Sequence, residues 1–372
     1  MREFAANLAT GLASGTPVAL ATVVKTTGST PRGPGARMVI RRDGRHLGTV
    51  GGGCGEAQVV AAGLMALDDG KARLVRVDLT DAVTEDSDGA CGGAMEVVVV
   101  PGGWDLLPLF RVLENSGSER SGMRLVTCLA PARILGAMLA GSDTPLAGVG
   151  LADRETEQLW AALTAAADDF PVSAPAHGPR ARLLEMPVAG ESWSVLCEEI
   201  GVRPRLLVCG GGHIAVPLSR LGRLLDWEVV ILDDRQMFAN HARFPEADQV
   251  ICGPFRPALE GLAVDANTCA AVVTRGHRDD LECVRSLLGR RPGYLGMIGS
   301  RRRVAGVRKL LVEEGFGVSL LGKLHAPVGL DIGAETPEEI AVAIMAEMIM
   351  ARRGGTGRSL KLRAHGMGAV RA

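Results

Sequence analysis

Through the first hundred residues, apolar positions come in short alternating or continuous runs broken by turn-forming residues, a pattern that signals strands. Val18–Thr26 (VALATVVKT), Arg37–Arg41, His46–Val50, Arg73–Leu79 and Met95–Val100 are predicted as strands, and Asp43-Gly44 marks a hairpin between the second and third. Apolar residues at helical spacing run from about Glu56 to Ala66, and Pro101-Gly102-Gly103 closes the section. Between 104 and about 200, short apolar runs mix with Pro, Gly and Ser and end in Trp193–Glu198, and a domain boundary is placed at Gly201–Pro204.

The second half has a different rhythm. Leu206–Cys209, Glu228–Leu232, Gln249–Cys252, Ala270–Thr274 and Tyr294–Ile298 are predicted as short buried strands, with helical patterns between several of them. Such alternation implies a parallel sheet covered on both faces. Thr336-Pro337-Glu338-Glu339 has the form of a capping box with proline at the first helical position. No repeat at a fixed period is visible. The expected fold is α/β: an N-terminal α+β domain over residues 1–200, a Rossmann-like doubly wound parallel sheet over 204–352, and a basic, frayed tail over 353–372.

Composition narrows the function. A net charge of −1 leaves no general positive field to recruit nucleic acid or acidic membranes. Seven Phe, four Trp and one Tyr are too few for the stacking platforms of single-strand binders. The apolar run Ile340–Met350 is too short to span a bilayer and contains Glu347, and no export signal is read at the start. The cysteines form no CxxC pair, which argues against a zinc ribbon and fits a reducing cytoplasm.

The stretch RLLVCGGGHIAVPLSRLGRLLDWEVVILDDR carries strand, Gly210-x-Gly212-x-x-Ala215, helix, and a strand ending in Asp233-Asp234. Gly210 permits a tight turn, Gly212 lets a pyrophosphate approach the main chain, and the helix start offers free N–H groups to it. Asp233 or Asp234 stands where a carboxylate bonds a ribose hydroxyl, while Arg235 next door suits a ribose phosphate, so NAD and NADP both remain open. His213 lies in the turn itself. Arg275 and His277, in TRGH, and Ser300 and Arg301, in GSRRR, follow later strands at the end where open α/β sheets bind ligands.

Two thiols in the first half have unusual company. Cys54 sits in TVGGGCGE, where Gly51, Gly52 and Gly53 precede a helix, and Cys91 sits in DGACGG. A glycine loop opening a helix makes an anion-accepting nest, and a thiol there is biased toward thiolate, a soft metal ligand. The plain alternative is that both are small residues in tight turns. Gly28-Ser29-Thr30-Pro31-Arg32-Gly33 forms a second loop of similar character upstream.

The segments GSTPRGPGARM, TVGGGCGE and CGG, followed by LLVCGGGHIA, VVILDDR, VTRGHRDD, YLGMIGSRRR and APVGLDIGAETPEEIAVAIMAEMI, resemble the XdhC/CoxI family over nearly the whole chain. The resemblance implies an accessory factor for molybdenum hydroxylases of the xanthine dehydrogenase and carbon monoxide dehydrogenase type. Such a factor binds the molybdenum cofactor (molybdopterin, as such or as a dinucleotide), assists its sulfuration with a cysteine desulfurase, and inserts it into the apoenzyme. By the same resemblance Cys54 and Cys91 are contacts to molybdenum or its sulfur ligands. Gly210, Gly212, His213 and Asp233 become nucleotide-cleft residues, with Arg275, His277, Ser300 and Arg301 lining the cleft. The expectation is thus a cofactor-insertion factor, not a stand-alone enzyme, in the cytoplasm. A homodimer is the default assembly. The alternative is an NAD(P)-dependent oxidoreductase resting on the Rossmann signature.

Overall fold

The computed structural model describes residues 17–79, 92–101, 123–130, 133–140, 145–149, 153–165, 181–188, 190–200 and 203–359. The chain divides into two units, with the boundary falling between Ile200 and Arg203.

The first unit opens with β1 (Val18–Gly28), β2 (Arg37–Arg41), β3 (His46–Gly48), helix α1 (Gly53–Asp69), β4 (Arg73–Asp78) and β5 (Gly93–Pro101), paired antiparallel in the order β3-β2-β1-β5-β4. Alternate residues of the central strands, Ala19, Ala21, Val23, Val97 and Val99, bury one face together with Val59 and Ala66 of α1. Gly63 of α1 gives Ile40 room: a Cβ there would lie 2.5 Å from the Ile40 Cδ1 atom. The other face brings Val24, Val98 and Val100 against Leu196.

That contact belongs to a second five-stranded sheet. β6 (Met123–Ala130), β7 (Arg133–Ala140), β8 (Pro145–Val149), α2 (Asp153–Ala165), β9 (Ala181–Val188) and β10 (Glu191–Ile200) pair antiparallel in the order β8-β7-β6-β10-β9. Leu159 and Leu163 of α2 pack on Val126, Met186, Trp193 and Val195. Strand for strand this is the order of the first sheet. Among the described residues the unit thus runs twice through one β-β-β-α-β-β order, which no sequence period reveals. A buried bidentate ion pair joins the halves: Arg37 in β2 donates to both carboxylate oxygens of Glu198 in β10, Oε1 at 2.9 Å.

The second unit holds a six-stranded sheet, all parallel, made of β11 (Arg205–Cys209), β12 (Glu228–Asp233), β13 (Gln249–Cys252), β14 (Thr268–Val272), β15 (Tyr294–Met297) and β16 (Leu324–His325), in the order β13-β12-β11-β14-β15-β16. Its central strands are buried on both sides, hence their continuous apolar runs. On one face lie α3 (Ala215–Leu224) and α8 (Pro337–Arg353). On the other lie α4 (Phe255–Gly261), α5 (His277–Leu288) and α6 (Arg301–Glu313), with the short α7 (Val318–Leu321). The Rossmann-like doubly wound sheet is therefore as expected from the alternation of strands and helices. The sequence placed β14 two residues too late, since the apolar run continues through Val273 past the end of the ladder. The capping box at Thr336 and Glu339 is present. Helix α8 runs on to Arg353, so the basic residues Arg352 and Arg353 are its last turn, and Arg352 lies over the Trp227 ring.

Candidate cofactor-binding site

Because every strand of the second unit points the same way, the residues following each strand collect along one carboxyl edge. The strand order reverses between β11 and β14, which is where open sheets of this kind bind ligands. Gly210 has φ +112°, and a Cβ on it would lie 2.6 Å from the Val273 carbonyl oxygen, so the turn after β11 packs directly on the end of β14. Gly211 is equally tight, its Cβ position 2.3 Å from the Phe238 carbonyl. Gly212 differs: a Cβ there would meet nothing within 4 Å. The open side of the turn is thus at Gly212, where a phosphate needs main-chain access. Helix α3 begins at Ala215 with no side-chain cap, leaving its first N–H groups for another partner. His213 is exposed beside it.

The two aspartates after β12 are not equivalent. Asp233 is buried and accepts the Gly211 N–H at 2.7 Å, the Arg235 N–H at 3.0 Å and two bonds from the Arg235 guanidinium at 2.9 Å. Burial pushes its carboxyl up, but the bonds from Arg235 and Gly211 outweigh that and hold it below the usual range. Arg235 is in turn stacked on Phe238, 3.7 Å from the ring centroid. This arginine is committed to bracing the turn. Asp234 is exposed and accepts from Arg275 at 2.9 Å. Arg275 also approaches Asp279 at 3.7 Å.

Next along the edge, Thr274 donates its hydroxyl to Asp280 at 2.6 Å. Asp280, in the first turn of α5, is fully buried and ion-paired with Arg303. Burial raises its carboxyl despite Thr274 and Arg303. The pair ties the first turn of α5 to that of α6, and the Arg303 stem lies over Gly299, whose Cβ position is 3.1 Å from Arg303 Cδ. Ser300 is the N-cap of α6, accepting the Arg303 N–H at 3.3 Å. Arg301 is exposed at the first position of that helix, where the dipole disfavours a cation. His277 is exposed at the start of α5.

In the first unit, three glycine-bearing loops converge. Gly51 has φ +151°, and its Cβ position lies 2.4 Å from Pro31 Cγ, so TVGGGCGE packs on the GSTPRG loop. Gly28 and Gly93 are likewise in main-chain contact: a Cβ on Gly28 would sit 2.7 Å from the Gly92 carbonyl oxygen, and one on Gly93 would sit 2.4 Å from that of Ser29. Thr49 accepts the Gly51 N–H at 3.0 Å and donates to Glu56 at 2.5 Å, which fixes the loop to α1. Gly52 is the N-cap, with no side-chain cap bond and nothing near its Cβ position, and Gly53 is the first residue of α1. Cys54 is the second residue of that helix; its side chain, and all of Cys91, lie outside the described residues. The buried cysteines of the described residues are not rivals as soft ligands. Cys197, Cys209, Cys269 and Cys283 are all enclosed, and burial pushes the Cys269 thiol up to about 12. Among the described residues no cluster of three or more His, Cys, Asp and Glu could hold a metal, and no helix is long and apolar enough to cross a membrane.

Sequence reasoning missed one cluster on this sheet. Tyr294, His325 and Glu347 converge on the α8 face. The available signal was Glu347, a carboxylate inside the apolar run Ile340–Met350.

Comparison with known proteins agrees with this architecture. Residues 206–348 match the XdhC Rossmann domain, and residues 11–78 match the XdhC and CoxI family. The uncharacterized protein YqeB of Escherichia coli K12 is 25% identical over 357 residues, which is 95% of this chain and 47% of that protein. This chain thus spans about half the length of that relative. A Bacillus subtilis 168 protein described as a probable xanthine dehydrogenase subunit is 25% identical, covering 90% of this chain and 93% of its own. PaoD of E. coli K12, described as a molybdenum cofactor insertion chaperone, is 23% identical, covering 92% and 85%. A crystal structure described as a xanthine dehydrogenase from Bacillus halodurans superposes with a TM-score of 0.71 at 22% identity over 98% of each chain, showing the same fold. With matches on both units and the parallel sheet where the Rossmann match falls, the chain belongs to the XdhC and CoxI family.

Proposed function

We propose that this protein is a maturation factor that binds the molybdenum cofactor and passes it to a molybdenum hydroxylase of the xanthine dehydrogenase type. The observation that carries the reading is the open main chain at Gly212, at the switch point of a parallel sheet, in a chain whose relatives include a cofactor insertion chaperone. The space a Cβ would fill there suits a phosphate, and the uncapped start of α3 supplies N–H donors. Gly210 and Asp233 shape this turn from below. Gly212 and His213 face the ligand, with Asp234 and Arg275 beside them for a hydroxyl; farther along, Arg301 supplies positive charge and His277 a hydrogen-bonding ring. The bound cargo brings a molybdenum centre with sulfur ligands. In the first unit, taken by itself, the glycine loop Gly51–Gly53 with Cys54, and the loop of Cys91, are the proposed contacts to molybdenum or its sulfurs.

Sulfuration together with a cysteine desulfurase, the dinucleotide form of the cofactor, a homodimeric state and residence in the cytoplasm belong to the same proposal. The test is direct. Protein purified from a host that makes the cofactor is assayed for molybdenum and pterin. Retention in the parent, and its loss in Gly212→Ala and in the Cys54→Ala/Cys91→Ala double variant, supports the reading; equal retention in all three overturns it. The NAD(P)-dependent oxidoreductase reading rests on the same glycine turn and is separated by titration with NADH and NADPH, which it requires to bind.

A further inference from the structure

β11 lies between β12 and β14, so the glycine turn that leaves β11 sits between the segments that leave its two neighbours. The contacts of the turn show the same order. The Cβ position of Gly211 meets the Phe238 carbonyl on one flank, and that of Gly210 is 3.0 Å from Thr274 Cα on the other. Asp234 belongs to the segment after β12 and Arg275 to the segment after β14. Their ion pair, Nη2 to Oδ2 at 2.9 Å, therefore spans the glycine turn from flank to flank. β11 is buried throughout, whereas both partners of the bridge reach solvent, which places the bridge on the outer side of the turn.

The neighbouring cations are committed. Arg235 bonds the buried Asp233 and lies over Phe238, and Arg303 is paired with the buried Asp280. The Thr274 hydroxyl, bonded to Asp280, pins the main chain that carries Arg275. The Arg275 side chain itself is 52% exposed, against 28% for Arg235, and is held by Asp234 and, at 3.7 Å, by Asp279. Both carboxylates have other support. Arg235 lies 3.7 Å from Asp234, and Asp279 stands in the first turn of α5, where the dipole favours an acid. Exposed ion pairs hold weakly, and a phosphate offers the guanidinium fork more charge than a carboxylate does. Arg275 is thus the one of these three cations that can change partners without uncovering a buried charge.

We propose that the Asp234–Arg275 pair is a latch over the glycine turn that selects a ligand carrying a diphosphate. A single phosphate at Gly212 leaves the latch closed. A second phosphate draws Arg275 off Asp234 and takes the guanidinium as its counter-charge. The inference rests on phosphate binding at Gly212, as proposed above, and adds the residue that reads the second phosphate.

Calorimetric titration of the full chain with inorganic phosphate and with inorganic pyrophosphate, in magnesium-free buffer, tests it. Neither probe has a sugar, so a hydroxyl contact of Asp234 does not enter. Asp234→Asn releases Arg275 in advance, and pyrophosphate is expected to bind about fivefold tighter, the worth of an exposed ion pair. Arg275→Gln is expected to weaken pyrophosphate about tenfold, as for a lost hydrogen bond to a charged group, and to leave phosphate unchanged. In the Arg275→Gln background, Asp234→Asn is expected to change neither affinity. Circular dichroism confirms that the variants fold. A gain from Asp234→Asn that persists without Arg275 is plain relief of charge repulsion and overturns the proposal. So do weaker pyrophosphate binding in Asp234→Asn, equal losses of both anions in Arg275→Gln, and no pyrophosphate binding by the parent and Asp234→Asn alike. Retained cofactor with pyrophosphate affinity indifferent to Arg275 sinks this inference alone. The expected anion pattern in a protein that retains no cofactor sinks the maturation reading alone.

Discussion

The carboxylate of Asp233 accepts the main-chain N–H of Gly211 at 2.7 Å. The acid that a Rossmann signature assigns to a ribose hydroxyl is here a brace for the glycine turn, with its remaining capacity taken by Arg235. The exposed neighbour Asp234 instead accepts from Arg275 at 2.9 Å. Two adjacent aspartates therefore divide two tasks, Asp233 bracing the glycine turn and Asp234 holding Arg275.

Replacing Asp233 with alanine leaves the buried Gly211 N–H without a partner, and a loss of about 1–3 kcal/mol is expected in urea unfolding. Asp234→Asn, at an exposed position, is expected to change stability by no more than about 0.5 kcal/mol. Equal losses in the two variants would remove the division of tasks.

Gly210 and Gly212 separate fold from ligand access. Gly210→Ala places a methyl group on the Val273 carbonyl at a positive φ, and unfolding is expected to become easier by at least about 1 kcal/mol. Gly212→Ala meets no protein atom and is expected to unfold like the parent while losing phosphate-bearing ligands. Isothermal titration on the folded variant reads the second effect.

Acid sensitivity follows from the lowered carboxyls. Asp233 and Glu347 titrate below their usual values in the fold, so each contributes stability in full above the ordinary carboxylate range. That contribution is lost as pH falls through the lowered folded values. Asp280 is raised and works in the opposite sense, favouring the fold at low pH and giving this up as pH climbs through its raised value. The expected profile of unfolding free energy falls from about pH 5 to about pH 2. Glu347→Gln flattens that fall; an unchanged slope would mean that Glu347 is not held low.

The Arg37–Glu198 pair joins the two sheets of the first unit with both side chains buried. Glu198→Ala strands the guanidinium, and a loss of about 3–5 kcal/mol is expected. An Arg37→Met/Glu198→Leu double variant is expected to recover most of it, read as the thermal unfolding midpoint. A double variant no better than the single would show that the charges themselves are needed.

The parallel half was legible in the sequence because its strands are short continuous apolar runs, LLVC and VVIL, each followed by turn chemistry. The glycine turn was legible for the same reason, since its spacing states its geometry. The second antiparallel sheet was not. Its strands lie in a stretch where Pro, Gly and Ser interrupt the alternation, and their pairings, such as Cys197 with Val126, span long separations. Asp233 was placed correctly at the strand end, but no local pattern says whether a carboxylate turns back to its own loop. The contact of Tyr294, His325 and Glu347 depends on packing a last helix over two late strands, which periodicity alone does not specify.

The duplicated order of the first unit sets up an asymmetry between its twins. α1 opens at Gly52 with no cap from any side chain and carries one acid, Glu56, in its first turn, while the first described turn of α2 carries two, Asp153 and Glu155. Carboxylates at a helix start already satisfy its positive pole. Two halves with one strand order thus present helix starts of different charge, one carboxylate against two, and the positive pole is less neutralised at the start of α1.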